Sequence, residues 1–140
     1  MQNIVTDLLL GLNAIDVLAA YHNYIQKKYN AEAGFITMNL PKLLNALEQK
    51  GIVNPIICSS INVLGFRMPG GKDLYEKTLA TKQCRVIAMQ IFGGGSISPK
   101  PAIEYVCNLP NIESILFGAS SKENIGNTVN LIKSFDSKHT

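Results

Sequence analysis

Apolar residues along this chain gather into short, nearly continuous runs, separated by segments in which they recur every three or four positions. The runs are Ile15 to Tyr21, Gly34 to Met38, Pro55 to Ser60, Arg85 to Phe92 and Ile112 to Phe117. Runs of this length without polar alternation suit strands covered on both faces. Strands that alternate with amphipathic segments are the mark of βα units and a parallel sheet.

The intervening segments carry helix signals. Pro41 to Lys50 opens with a first-turn proline, sets Leu43, Leu44 and Leu47 on one face and stops at Gly51. Lys72 to Lys82 follows Gly70-Gly71, and Ser98-Pro99 supplies an N-cap and a proline to a helix carrying Ile103 and Val106 that halts near Pro110. Ser120-Ser-Lys-Glu123 has the form of a capping box, after which Ile125, Val129, Ile132 and Phe135 hold one face. Thr6 to Leu12 also reads as helix. No linker or low-complexity tract divides these units, which predicts one domain over residues 1–140.

With 46% hydrophobic residues and a mean hydropathy of +0.12, the chain has enough apolar material for one globular core. Its net charge of +3 is spread without a basic run or interleaved aromatics, which argues against nucleic acid. No apolar stretch approaches the roughly 20 residues of a membrane span, and Met1 to Asp7 has no basic leader, so a cytoplasmic protein away from membranes is expected. Cys58, Cys84 and Cys107 are odd in number and far apart, suggesting packing residues and neither a disulfide framework nor a metal site.

The arrangement of units predicts an α/β protein of parallel βα repeats forming the later part of a TIM (β/α)8 barrel. A closed barrel needs eight units and usually about 250 residues, so this chain alone is incomplete. A doubly wound sheet would place its glycine-rich turn after the first strand. Here Gly93-Gly-Gly95 and Gly118-Ala-Ser120 follow the last two runs, where barrels commonly hold a phosphate.

Several segments resemble the aldo-keto reductases. Asn13-Ala-Ile-Asp-Val-Leu-Ala-Ala-Tyr-His22 is similar to the family's fourth strand, which carries an Asp and ends on a His. Gly34-Phe-Ile-Thr-Met-Asn39 resembles the fifth, Asn54-Pro55 to Ile61-Asn62 the sixth and Val86-Ile-Ala-Met-Gln-Ile-Phe-Gly93 the seventh. Pro110-Asn-Ile-Glu-Ser-Ile-Leu-Phe-Gly-Ala-Ser-Ser-Lys-Glu-Asn-Ile125 resembles the eighth strand with its helix.

The resemblance implies NADPH-dependent carbonyl reduction for full-length relatives, which use a Tyr as general acid helped by Lys, Asp and His. The Tyr, Lys and Asp belong to earlier strands that have no counterpart here. His22 carries over as the catalytic group that orients a carbonyl oxygen. Asn39, Gly93, Gly118, Ser120, Ser121, Lys122 and Asn124 carry over as cofactor-binding positions. Asn124 stands where the family has an Arg, and Lys122 is the alternative source of charge. In the nicotinamide pocket, Cys58 replaces a Gln and Met89 a Tyr, removing an amide and an aromatic face.

The expected function is the C-terminal portion of an aldo-keto-reductase-like barrel acting on a small carbonyl substrate once completed. Two alternatives stand beside it: a catalytically inert half-barrel or truncated product, and a fragment of a phosphate-binding TIM-barrel lyase or isomerase. Poorly protected edge strands point to self-association or to a complementary half-barrel as partner. Arg67, in the loop after the sixth-strand segment, could face a ligand but reads first as a solvated loop residue; Tyr21, Tyr24 and Tyr29 read as packing, and His139 is given no role.

Overall fold

A computed structural model describes residues 1–136, and His139 lies outside them. Four parallel strands, β1 (Gly34–Thr37), β2 (Ile56–Ser60), β3 (Arg85–Met89) and β4 (Ile112–Leu116), lie side by side in chain order. Helices α3 (Leu40–Gln49), α4 (Lys72–Thr81) and α5 (Pro99–Cys107) connect them, and α6 (Lys122–Asp136) follows β4. Before β1 come α1 (Asn3–Gly11) and α2 (Ile15–Tyr29). No described helix is long and apolar enough to cross a membrane.

The expected strand Ile15 to Tyr21 is instead the start of α2. A short apolar run is ambiguous between strand and helix, and composition decides it. Ala19 and Ala20 favour helix, and Leu18, His22 and Ile25 recur at helical spacing into the polar stretch that follows. Asp16 in the first turn and Lys27 and Lys28 in the last complement the helix dipole, and Asn30 closes the end in a left-handed conformation. The sheet therefore has four strands rather than five. The helix expected from Thr6 also begins earlier, at Asn3.

One face of the sheet is covered. Phe35 pairs in register with Ile57 and Ile57 with Val86, all buried, and Thr37, Ser59 and Ala88 form the next buried row. Right-handed crossovers between strands in consecutive order put every connecting helix on the same side. Leu43, Leu47, Tyr75, Leu79, Ile103 and Val106 supply the apolar helical surface of this core. The opposite face carries Ile36, Ile56, Ile87, Met89 and Leu116, which remain half-buried or exposed.

The outer edge of β1 is met by Met1. Its amino group donates to Gly34 O at 2.5 Å, and its carbonyl accepts from Ile36 N at 2.9 Å, one rung of a parallel ladder. The Tyr21 hydroxyl also accepts from the Met1 amino group, at 2.8 Å. Burial lowers the pKa of that amino group.

Candidate functional site

Three loops meet at the carboxyl ends of the strands. Asn62, after β2, is fully buried and closes its own loop, its amide donating to Phe66 O at 2.9 Å and accepting from Phe66 N at 2.9 Å. Met68 anchors the far side of the turn, and its sulfur accepts from Asn62 N at 3.4 Å. Phe66 and Arg67 are thereby held outward, Arg67 with a left-handed φ of 55° and its guanidinium 5.3 Å from the Phe66 ring.

After β3 the chain turns sharply. Gln90 takes a φ of 55°, and Gly93, Gly94 and Gly95 take 55°, 72° and 93°, backbone that a side chain rarely tolerates. Hydrogen bonds from Gly93 N to Gln90 O and from Gly95 N to Phe92 O, each 2.9 Å, close the turn. The Ser60 hydroxyl donates to Gln90 Oε1 at 2.7 Å, which fixes the amide and leaves its NH2 group as the donor. Phe92 and Phe117, just past β3 and β4, meet edge to face at 6.5 Å.

These segments enclose a groove of about 470 Å³, within the ~300–1,000 Å³ range of small-molecule sites. Arg67, Gln90, Phe92, Gly94, Phe117 and Gly118 are among its walls. A second groove, of about 410 Å³, shares Phe92 and Gly118 with it and runs on past Ser120, Asn124 and Thr128.

The start of α6 is capped locally. Ser121 Oγ accepts from Asn124 N at 3.1 Å, so Ser121 is the capping side chain where the Ser120 to Glu123 pattern pointed to Ser120. Ser120 Oγ accepts instead from Asn124 Nδ2 at 3.0 Å. Lys122 and Glu123 occupy the first turn.

Of the positions expected to bind a cofactor, Gly118, Ser120 and Asn124 line one groove, with Ser121 and Lys122 adjoining. Gly93 is buried beneath its loop, where an added Cβ would meet Ile97 at 3.0 Å. Asn39 lies beyond β1 with its side chain engaged as the N-cap of α3, accepting from Lys42 N at 3.2 Å.

His22 is not brought to this end. It sits within α2 beside a polar cleft of about 390 Å³ shared with Glu32, Asn54, Ile56 and Arg85, at the amino ends of β2 and β3. Its Nδ1 is buried without a hydrogen-bond partner among the described residues. Arg85 grips the Glu32 carboxylate through both terminal nitrogens and holds its pKa below the ordinary value.

Phe66, Gln90, Phe92 and Phe117 carry no signal as site residues in the sequence pattern, and Arg67 reads there as either solvated or ligand-facing. What they share is position, immediately after a strand end or at a left-handed turn. Cys58 and Met89 lie in β2 and β3, and burial pushes the Cys58 thiol up. Among the described residues no cluster of His, Cys, Asp and Glu is arranged to hold a metal ion. No family model, curated protein or solved structure matches this chain.

Proposed function

We propose that this chain forms the later part of a (β/α)8 barrel of the aldo-keto-reductase kind, and that its loop after β4 holds the phosphate-bearing end of NADPH. The observation that supports this reading is topological. Four parallel strands in consecutive order carry helices on one face only, leave the other bare, and open a groove at their carboxyl ends. A doubly wound sheet reverses its strand order and covers both faces.

The phosphate end of the cofactor suits the residues at hand. Gly118, Ser120 and Asn124 line one groove beside the N-terminal turn of α6, which carries Lys122. The nicotinamide end does not suit them, since Cys58 is a buried thiol and Met89 has no aromatic face. Carbonyl reduction therefore belongs to a barrel completed by further strands and not to these residues alone.

A second reading, that the chain is a catalytically inert binding scaffold, is favoured by the place of His22. That side chain lies at the amino ends of the strands, at the opposite end from the loops that line the two carboxyl-end grooves. Titration of the protein with NADPH, followed by backbone amide resonances, tests the first reading. Ser120, Ser121 and Lys122 are expected to shift; if they stay still, the α6 terminus is only a cap.

A further inference from the structure

The groove between the loops after β2, β3 and β4 has one charged side chain in its wall, Arg67, and no carboxylate. Apart from Arg67 and Gln90, the wall is aromatic, aliphatic or glycine. We infer that this groove binds a small aromatic monocarboxylate, with its ring against Phe92 and Phe117 and its carboxylate between Arg67 and the Gln90 amide. The site requires no dinucleotide.

Charge complementarity selects the head group. A planar guanidinium presents parallel N–H donors that match a carboxylate in two-point contact. Arg67 is set on a turn clamped by Asn62 and braced against the Phe66 ring, which reduces the freedom its side chain loses on binding. The Gln90 NH2 group adds a neutral donor, aimed by the Ser60 hydroxyl. A single negative charge is thus answered by a single positive one. A phosphate dianion would leave charge facing an apolar wall, which is costly.

The body of the ligand is selected by the rings. Phe92 and Phe117 lie edge to face, an arrangement that a third ring extends by stacking or by another edge contact. Gly94 and Gly95 bring bare backbone to the same wall, leaving room that side chains would fill.

The test is a titration of the whole chain with benzoate, acetate, benzyl alcohol and inorganic phosphate, read from amide resonances. Benzoate is expected to shift Gly94, Gly95 and Gly118 and to bind about tenfold or more tighter than acetate, which lacks the ring, or benzyl alcohol, which lacks the charge. In Arg67→Gln, a change at an exposed position, benzoate should weaken by about tenfold while benzyl alcohol is unchanged and the circular dichroism spectrum stays native. The inference is overturned if benzoate moves none of these signals, if phosphate binds here more tightly than benzoate, or if Arg67→Gln binds benzoate as well as the native chain. Ser120 and Ser121 report separately on NADPH, so failure at one site is distinguishable from failure at the other.

Discussion

The Thr37 hydroxyl donates to the Asp7 carboxylate at 2.5 Å and so ties α1 to the carboxyl end of β1. The other carboxylate oxygen accepts the Met38 amide at 3.0 Å. Thr37 is fully buried and Met38 half-buried, so removing the acceptor leaves a buried hydroxyl and a partly buried backbone N–H without their charged partner. Hydrogen bonds to charged groups are worth about 1.5–3 kcal/mol, and Asp7→Ala is expected to cost about 2 kcal/mol. Urea unfolding checks this: the midpoint should fall with the slope unchanged.

Tyr75 joins α4 to the β1–α3 connection in a similar way. Its hydroxyl donates to Met38 O at 2.9 Å and accepts from Leu40 N at 3.3 Å, with the whole residue buried. Tyr75→Phe leaves both backbone groups unpaired and should destabilise by about 1–3 kcal/mol in thermal or urea unfolding.

Burial pushes the Tyr75 hydroxyl up to about 12 from an ordinary value of 10.0. The unfolded chain releases this proton first, so its contribution is intact below pH 10 and is lost as pH rises toward 12. Stability of the native chain should fall over that window, and Tyr75→Phe should fall less steeply there. Equal slopes in the two proteins, measured by urea unfolding at successive pH values, would remove Tyr75 as a cause.

The bare sheet face gives a prediction about association. Leu116 is 56% exposed on β4, beside half-buried Ile87 and Ile36 farther along the same face. Apolar rows of this kind and an open strand edge favour self-association. Light scattering is expected to report species larger than one chain at micromolar concentration, and Leu116→Lys should shift the distribution toward monomer. A stable monomer of the native chain would show the face to be sufficiently covered as it stands.

His22→Ala should leave NADPH-induced shifts at Ser120 and Ser121 unchanged, because the two regions lie at opposite ends of the strands. The native chain should show no measurable NADPH-dependent carbonyl reduction, since on the proposed reading the general-acid Tyr and its Lys and Asp helpers have no counterpart here, and such groups each contribute about 10²-fold or more. Turnover by the isolated chain that is lost in His22→Ala would refute the placement of that residue.

Much of the fold was legible where local chemistry and pattern agreed. The first-turn proline and leucine face of α3, and the βα alternation from Gly34 onward, needed no tertiary information. Ile15 to Tyr21 reads as a strand only when its apolar run is taken without the polar helical continuation to Tyr29. Asn39 shows a different ambiguity: an Asn after a strand serves equally as a ligand donor or a helix cap, and here its Oδ1 accepts from Lys42 N. The groove was the least legible part. Phe66, Phe92 and Phe117 come from three different loops, and only the register of the strands brings them together.

The hydrogen bonds of Asn62 run within its own turn, to Phe66 and Met68, and reach across to neither of the other two loops that form the groove. The turn therefore behaves as a cassette whose shape is independent of what it displays. Phe66 and Arg67 are both exposed at its tip, so other side chains can replace them at small cost to the scaffold, provided those at position 67 tolerate its left-handed φ of 55° and are not β-branched. Variation at these two positions, with Asn62 and Met68 held constant, would let one backbone present a succession of chemically different rims. Selection from a small library at these two sites is a direct route to retuning what the groove accepts.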